Sequence, residues 1–203
     1  MSPDTTVGQP KGLRERVGQS RLGTVLVLAV TAAIVTGGAY LVDRPAAATA
    51  GVSAVDVGSG DGPAPKAGSP AHDFTATTVD GKKVSLSSYK GHPVWLTFGA
   101  SWCAACQAEA PDIEAAYQKA KAQGVVVLAV SISEDSATVL EYGNRIGLTF
   151  PQIADPDTRI ASAYRVNGIP AHFFIDRTGV LRSTRTGGLS PENMDKALKE
   201  IEG

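Results

Sequence analysis

Cysteine is almost absent from this chain, with two among 203 residues. Two thiols cannot build a disulfide framework, and they are too few for a closed zinc site. Histidine occurs three times, and neither His72 nor His92 stands near another ligand type in the sequence. His172, on a predicted strand, is one more lone histidine. No metal and no cofactor are expected. Charge of either sign is also scarce in surplus: the formal net charge is −1 and no basic run occurs. That leaves no electrostatic basis for binding nucleic acid. There is no internal repeat, and no cysteine closes the N-terminal apolar run, so an N-terminal lipid anchor is not expected.

What the chain does have is hydrophobic residues, 43% of the total, enough for one core plus appendages. Residues 1–21 are polar, with Lys11, Arg14, Arg16 and Arg21 against Asp4 and Glu15, and read as a cytoplasmic tail. Residues 22–42 carry no charge and suffice to cross a hydrocarbon layer of about 30 Å as a helix. Positive charge on the N-terminal side places the remainder outside the cell. The alternative is a signal peptide cleaved near Ala50, for which Ala48-Thr49-Ala50 offers the site. The apolar run is longer than signal cores of about 7–15 residues, which favours an uncleaved single-pass anchor. Residues 43–70 contain 20 Ala, Gly, Pro, Ser or Thr out of 28 and read as a flexible linker.

Residues 71–203 read as one α/β domain. Phe74–Val79 and Lys82–Leu86 flank Asp80-Gly81 as a hairpin. Pro93–Phe98 and Val125–Ser131 are continuous apolar runs of the kind buried in a parallel sheet. Between them Cys103–Gln123 has helical periodicity, with Gly124 as its stop and Pro111 as an expected kink. Ser136–Ile146 and Thr158–Tyr164 are further helices. Ala171–Ile175 and Val180–Thr186 flank Arg177-Thr178-Gly179 as a second hairpin. Ser190-Pro191 opens a last helix, Ser as N-cap and Pro at the first helical position.

The two cysteines sit in Trp102-Cys103-Ala104-Ala105-Cys106, where a strand turns into a helix. Unsatisfied N–H groups and the positive dipole end at a helix start favour a thiolate. Cys103 is then the exposed nucleophile, and Cys106, one turn deeper, the resolving thiol that closes a local disulfide. An inert structural disulfide is the competing reading. A tight ring at a helix start favours a labile bond instead.

WCxxC on a strand–turn–helix, with Pro111 five residues on, resembles the thioredoxin-fold oxidoreductases. Glu109, three residues after Cys106, and Gly168-Ile169-Pro170 followed by Ala171-His172-Phe173-Phe174-Ile175-Asp176 are similar to the membrane-anchored TlpA/ResA-like branch. Thr97 stands where thioredoxins proper carry a buried Asp. The resemblance covers residues 70–202. It implies a central mixed sheet with flanking helices, an N-terminal β-hairpin extension and one preceding transmembrane helix. It also implies a cis Pro170 that brings Ile169 against the disulfide to pair with an extended substrate strand. Trp102 is implied as part of the substrate-facing surface. Glu109 is implied as a proton relay to Cys106, against the alternative of a solvated helix glutamate.

The function implied is reduction of disulfides in exported proteins, the haem-attachment CxxCH of apocytochromes c among them. A membrane thiol protein would serve as electron donor, since no third cysteine is available for internal transfer. Ala104-Ala105 replaces the Glu-Pro type of pair common in that branch, and those residues influence thiolate stability. A disulfide-donating oxidant is the alternative. A thiol peroxidase is disfavoured because Ala100 stands where peroxiredoxins place threonine. A non-enzymatic redox-sensing module docking peptides on Ile169-Pro170 is the remaining reading, and a metal at His172 with both thiols is not expected.

Overall fold

The computed structural model describes residues 21–42, Asp56 and 62–203. Helix α1, Arg21–Val42, belongs to one unit, and the domain containing all the described strands to another. Among the described residues no helix is long and apolar enough to cross a membrane, side chains of α1 being described only for residues 25–36. Val25, Leu26, Val27, Leu28, Val30, Ile34 and Val35 of α1 are exposed. The Thr31 and Thr36 hydroxyls donate back to the carbonyls of Val27 and Ala32, each at 2.7 Å, which satisfies the polar groups of this stretch within the helix. Of the expected tail, residues 1–21, all but Arg21 lie outside the described residues.

The second unit begins upstream of Ala71. Asp56 exchanges both main-chain hydrogen bonds with Thr75, at 2.8 and 2.7 Å. Gly68 N–H donates to Leu181 O, Leu181 N–H to Ser69 O, and Arg165 to Gly62 O. Residues 62–70, expected within a linker, thus satisfy edge groups of the sheet. Composition misses this because main-chain hydrogen bonding does not depend on the side chain.

Strands β1 (Thr75–Thr77) and β2 (Lys83–Ser85) form the expected hairpin. Its loop is one residue longer than a two-residue turn: Thr78 pairs with Lys82, and Gly81 sits at φ 87°. That is the three-residue loop in which glycine takes the left-handed position.

The main sheet holds β3 (Val94–Gly99), β4 (Val126–Ile132), β5 (Gln152–Asp155), β6 (Ala171–Ile175) and β7 (Leu181–Thr186) in the order β5-β4-β3-β6-β7. β3 runs parallel to β4 and antiparallel to β6. Side chains alternate across it. Leu96, Phe98, Leu128, Val130, Phe173 and Ile175 face one core with Tyr164 and Phe74. Trp95, Val127 and Phe174 face the other.

That second core is closed by α2 (Ala104–Ala120) and α5 (Pro191–Glu202). Helix α5 buries Met194, Ala197, Leu198 and Ile201, an i, i+3, i+4, i+7 stripe. Helix α2 runs on through Pro111. Helices α3 (Ser136–Ile146) and α4 (Arg159–Ala163) complete the domain. A Cβ on Gly143 of α3 would meet the end of the Gln152 side chain on β5, which would have to shift to admit it. Strand β5 was not expected. It is four residues long and ends in Asp155, too short and too polar at its ends to show a period.

Asp176 organises the β6–β7 turn. Its Oδ1 accepts from Thr178 N at 2.8 Å, Val180 N at 3.0 Å and the Thr178 hydroxyl at 2.7 Å. Its Oδ2 accepts from Arg182 Nε at 2.6 Å. Burial pushes this carboxyl up, but the hydrogen bonds from Thr178, Val180 and Arg182 outweigh burial and hold it below its ordinary value. A carboxyl so lowered contributes stability above the unfolded-state value of about 3.9 and loses it as pH falls through the folded value. Asp176→Ala should cost about 2 kcal/mol at neutral pH. In thermal unfolding the gap to wild type should close in strong acid, and a gap that persists there would refute this account.

Candidate active site

The C-terminal end of β3 delivers the reactive pair. Gly99 closes the strand, Ala100–Trp102 make the turn, and Cys103 is the N-cap of α2. A Cβ on Gly99 would touch the Cys106 side chain at 3.4 Å, so the strand end passes tightly under the inner cysteine. Cys103 and Cys106 are joined in a disulfide with Cα atoms 5.2 Å apart. The Cys106 N–H donates to Cys103 Sγ at 3.2 Å. A cap normally offers oxygen to this orphan donor; here the acceptor is sulfur. No acidic residue occupies the first turn of α2, so the positive end of the helix is left to favour a thiolate on Cys103.

Cys103 is half-buried and Cys106 only 8% exposed. Trp102 stands out at 61% exposure, which excludes the core packing that is the usual fate of a tryptophan. The Ile169–Pro170 peptide is cis. The Ile169 carbonyl oxygen lies 4.0 Å from Cys103 Sγ, with Pro170 buried and Ile169 half-buried. Trp102, Cys103 and Ile169 therefore share one surface, although 66 residues separate Cys103 from Ile169.

Glu109 is not a solvated helix residue. It is 5% exposed, and its Oε2 accepts from the Leu189 N–H at 3.0 Å. Its Oε1 lies 3.5 Å from His172 Nε2. Glu109, Cys106, Thr97 and Ala100 line one cavity of about 50 Å³, inward of the disulfide.

His172 is fully buried. Its Nδ1 accepts from Trp95 Nε1 at 3.3 Å and lies 3.1 Å from the Thr97 hydroxyl. Thr97 and His172 are direct cross-strand partners between β3 and β6. Among the described residues no group of three or more His, Cys, Asp or Glu side chains converges to hold a metal ion. His72 and His92 bond to the main-chain carbonyls of Ala163 and Gly124, each at 3.1 Å.

The turn before the disulfide is held from β4. Strands β3 and β4 are parallel, so the loops that follow them meet at one end of the sheet. Ser133, at φ 56°, turns the chain in the left-handed region at a cost of about 1–2 kcal/mol. Glu134 follows and is buried. It accepts from the Ser101 N–H at 2.9 Å and from the Ser101 hydroxyl. From the other side, the Gln107 amide of α2 donates to the Ser101 carbonyl.

A family profile described as AhpC/TSA family matches residues 67–184. The chain belongs to that family. It is a thiol-disulfide oxidoreductase of the thioredoxin fold, similar to the thiol-disulfide oxidoreductase ResA of Geobacillus kaustophilus. The two are 37% identical over 134 residues, which cover 66% of this chain and 77% of that one. A putative thiol:disulfide interchange protein DsbE from Chlorobium tepidum superposes with a TM-score of 0.65 at 28% identity, over 69% of this chain and all of that one. A secreted disulfide oxidoreductase of Mycobacterium tuberculosis gives a TM-score of 0.55 at 26% identity, over 63% of this chain and 93% of that one.

In this oxidoreductase two supporting features escape sequence reasoning. Period-two alternation puts Trp95 beside Thr97 and His172 beside Phe174, but the β3–β6 register that joins the pairs is a tertiary fact. Glu134 carries no local signal; only the parallel pairing of β3 and β4 brings it to Ser101. Glu134→Ala should leave the Ser101 N–H without its acceptor and cost about 1–3 kcal/mol in denaturant unfolding. An unchanged unfolding midpoint would show that Glu134 does not hold the turn.

Proposed function

We propose that this thiol-disulfide oxidoreductase works outside the cytoplasm, tethered by α1, as a reductant of disulfides in exported proteins, apocytochrome c among its substrates. The observation that carries the chemistry is the ordering of the two sulfurs. Cys103 is accessible, receives the Cys106 N–H, and lies beside the Ile169 carbonyl and exposed Trp102. Cys106 is buried beside a cavity that it shares with Glu109.

Starting from the dithiol, the Cys103 thiolate attacks one sulfur of the substrate disulfide. A mixed disulfide forms, the substrate S–S bond breaks, and the other substrate sulfur leaves as a thiolate that takes up a proton. Cys106 gives its proton to the Glu109 carboxylate and attacks Cys103 Sγ. The Cys103–Cys106 bond forms and the first substrate sulfur departs with its electron pair. Two electrons have passed from the enzyme to the substrate, and the enzyme is left as the disulfide seen here. A dithiol on a membrane donor protein restores it by the reverse exchange, again through Cys103. An extended substrate segment is read by Trp102, Ile169 and Pro170 around this sulfur.

The tether reading rests on the uncharged run of residues 22–42, on the seven exposed large apolar side chains of α1, and on positive charge upstream. The Mycobacterium tuberculosis neighbour is described as a secreted disulfide oxidoreductase, which supports the reading of an exported domain. Full-length protein should sediment with membranes; a shorter soluble product would mean cleavage near Ala50. The peroxide reading finds no support at Ala100, which has no hydroxyl to place beside the sulfur.

Cys103→Ser should abolish reduction of a protein disulfide, and Cys106→Ala should trap substrate and donor on Cys103 as mixed disulfides. Activity surviving Cys103→Ser would sink the enzyme mechanism. Direction is read from the reduction potential of the pair. A value near or below that of thioredoxin, about −270 mV, fits a reductant, whereas one near −120 mV would make the protein a disulfide donor.

A further inference from the structure

His172 is a buried titratable side chain beside Glu109 that the exchange as written does not use. It sits on β6, two residues after Pro170, on the sheet face covered by α2 and α5. Its hydrogen-bonding state is decided by its neighbours. An indole N–H can only donate, and Trp95 Nε1 points at His172 Nδ1 at 3.3 Å. Nδ1 therefore carries a lone pair, and the Thr97 hydroxyl at 3.1 Å is a second group directed at it. An imidazolium would set its own Nδ1–H against the Trp95 N–H. With Nδ1 accepting, the ring carries a hydrogen on Nε2. That Nε2 is buried with no hydrogen bond of its own, and Glu109 Oε1 lies 3.5 Å from it.

Glu109 is held at its other oxygen by the Leu189 N–H. The charged and titratable groups around the pair are few. From α2 come Glu109 and Cys106. From β3 come Trp95 and Thr97, which bear no charge. From β7, Arg185 stands opposite His172 in register, and it pairs with Glu200 of α5 at 3.6 Å. The Nε2–H is therefore offered to Glu109 alone among these groups.

We propose that His172 is the positioning residue for Glu109: its Nε2–H closes on Oε1 and holds the carboxylate oriented as the proton acceptor for Cys106. This rests on the assignment of Glu109 as that acceptor. A hydrogen bond given to a carboxylate favours its charged form, and two donors on opposite oxygens fix its plane. The cavity shared by Glu109 and Cys106 is large enough for one water to pass the proton. His172 touches neither sulfur and acts only through Glu109, in the second half of the exchange.

The test uses the full chain, reduced and mixed with dithiobis(nitrobenzoate). Formation of the Cys103 mixed disulfide releases one coloured thiolate, and the attack of Cys106 on Cys103 releases a second. The second phase is followed against pH. Glu109→Gln should slow it. His172→Leu should slow it about tenfold near pH 6 and move its acid limb to higher pH, with the first phase unchanged. His172→Gln, which returns an N–H to the Nε2 position, should restore most of the rate. His172→Leu added to Glu109→Gln should produce no further loss.

If Glu109→Gln leaves the second phase intact, the Glu109 assignment fails and this proposal with it. If Glu109→Gln slows it but His172→Leu does not, or slows it equally in both backgrounds, Glu109 stands and the role of His172 is overturned. Should His172→Leu fail to fold, His172→Thr takes its place: a threonine cannot reach Oε1 and must show the slow phase.

Discussion

Strand β3 is hydrogen-bonded along both edges, parallel to β4 and antiparallel to β6, and every part of the site is referred to it. Its six residues are almost wholly buried, so its position is set by two cores at once. The chain that leaves it must turn immediately into α2. The first donors of that helix emerge where the strand stops, and a helix start buried without acceptors is unfavourable. Cysteine at the cap supplies a sulfur acceptor. In the proposed mechanism the group that completes the helix start is also the group that reacts, so the structural need and the chemistry have one origin.

The antiparallel partner β6 brings the rest. Because β6 pairs with β3 residue for residue, the loop before it arrives at the same end of the sheet as the disulfide. That is why Ile169 comes within 4.0 Å of Cys103 Sγ. The same register sets His172 beside Thr97. On that face Trp95, Thr97, His172 and Glu109 form a buried polar group between apolar Phe174 and the α2–α5 core. Buried polar atoms are costly unless bonded, and this set is nearly closed: the indole and the Leu189 N–H find acceptors, and the Thr97 hydroxyl lies 3.1 Å from His172 Nδ1. The open position is the Nε2–Glu109 contact, and Glu109 lines a cavity with Cys106.

Much of this was legible in the chain. The apolar runs marked β3 and β4, and Gly124 marked the end of a helical stretch. Ser190-Pro191 marked the start of α5, and the strand–CxxC–helix context marked the reactive pair. Local signals suffice where one residue type has one physical use, such as proline at a first helical position. They fail where an element is short or polar. Strand β5 exists because β4 offers it an unpaired edge. Residues 62–70 read as a tether by composition, yet they cap the β7 edge through main-chain bonds that leave no mark in composition.

Sequence alone determined the chemistry: two sulfurs separated by two residues at a strand-to-helix turn, with no third thiol to complicate them. It also determined the alternation that sorts each strand into two faces, because side-chain direction follows from backbone geometry. The tertiary structure decided which sulfur is accessible, that Glu109 is buried rather than solvated, and that His172 and Trp95 meet. Those facts depend on register and on contacts between residues up to 80 positions apart. No local propensity encodes such contacts, since they appear only when the sheet and its covering helices close together.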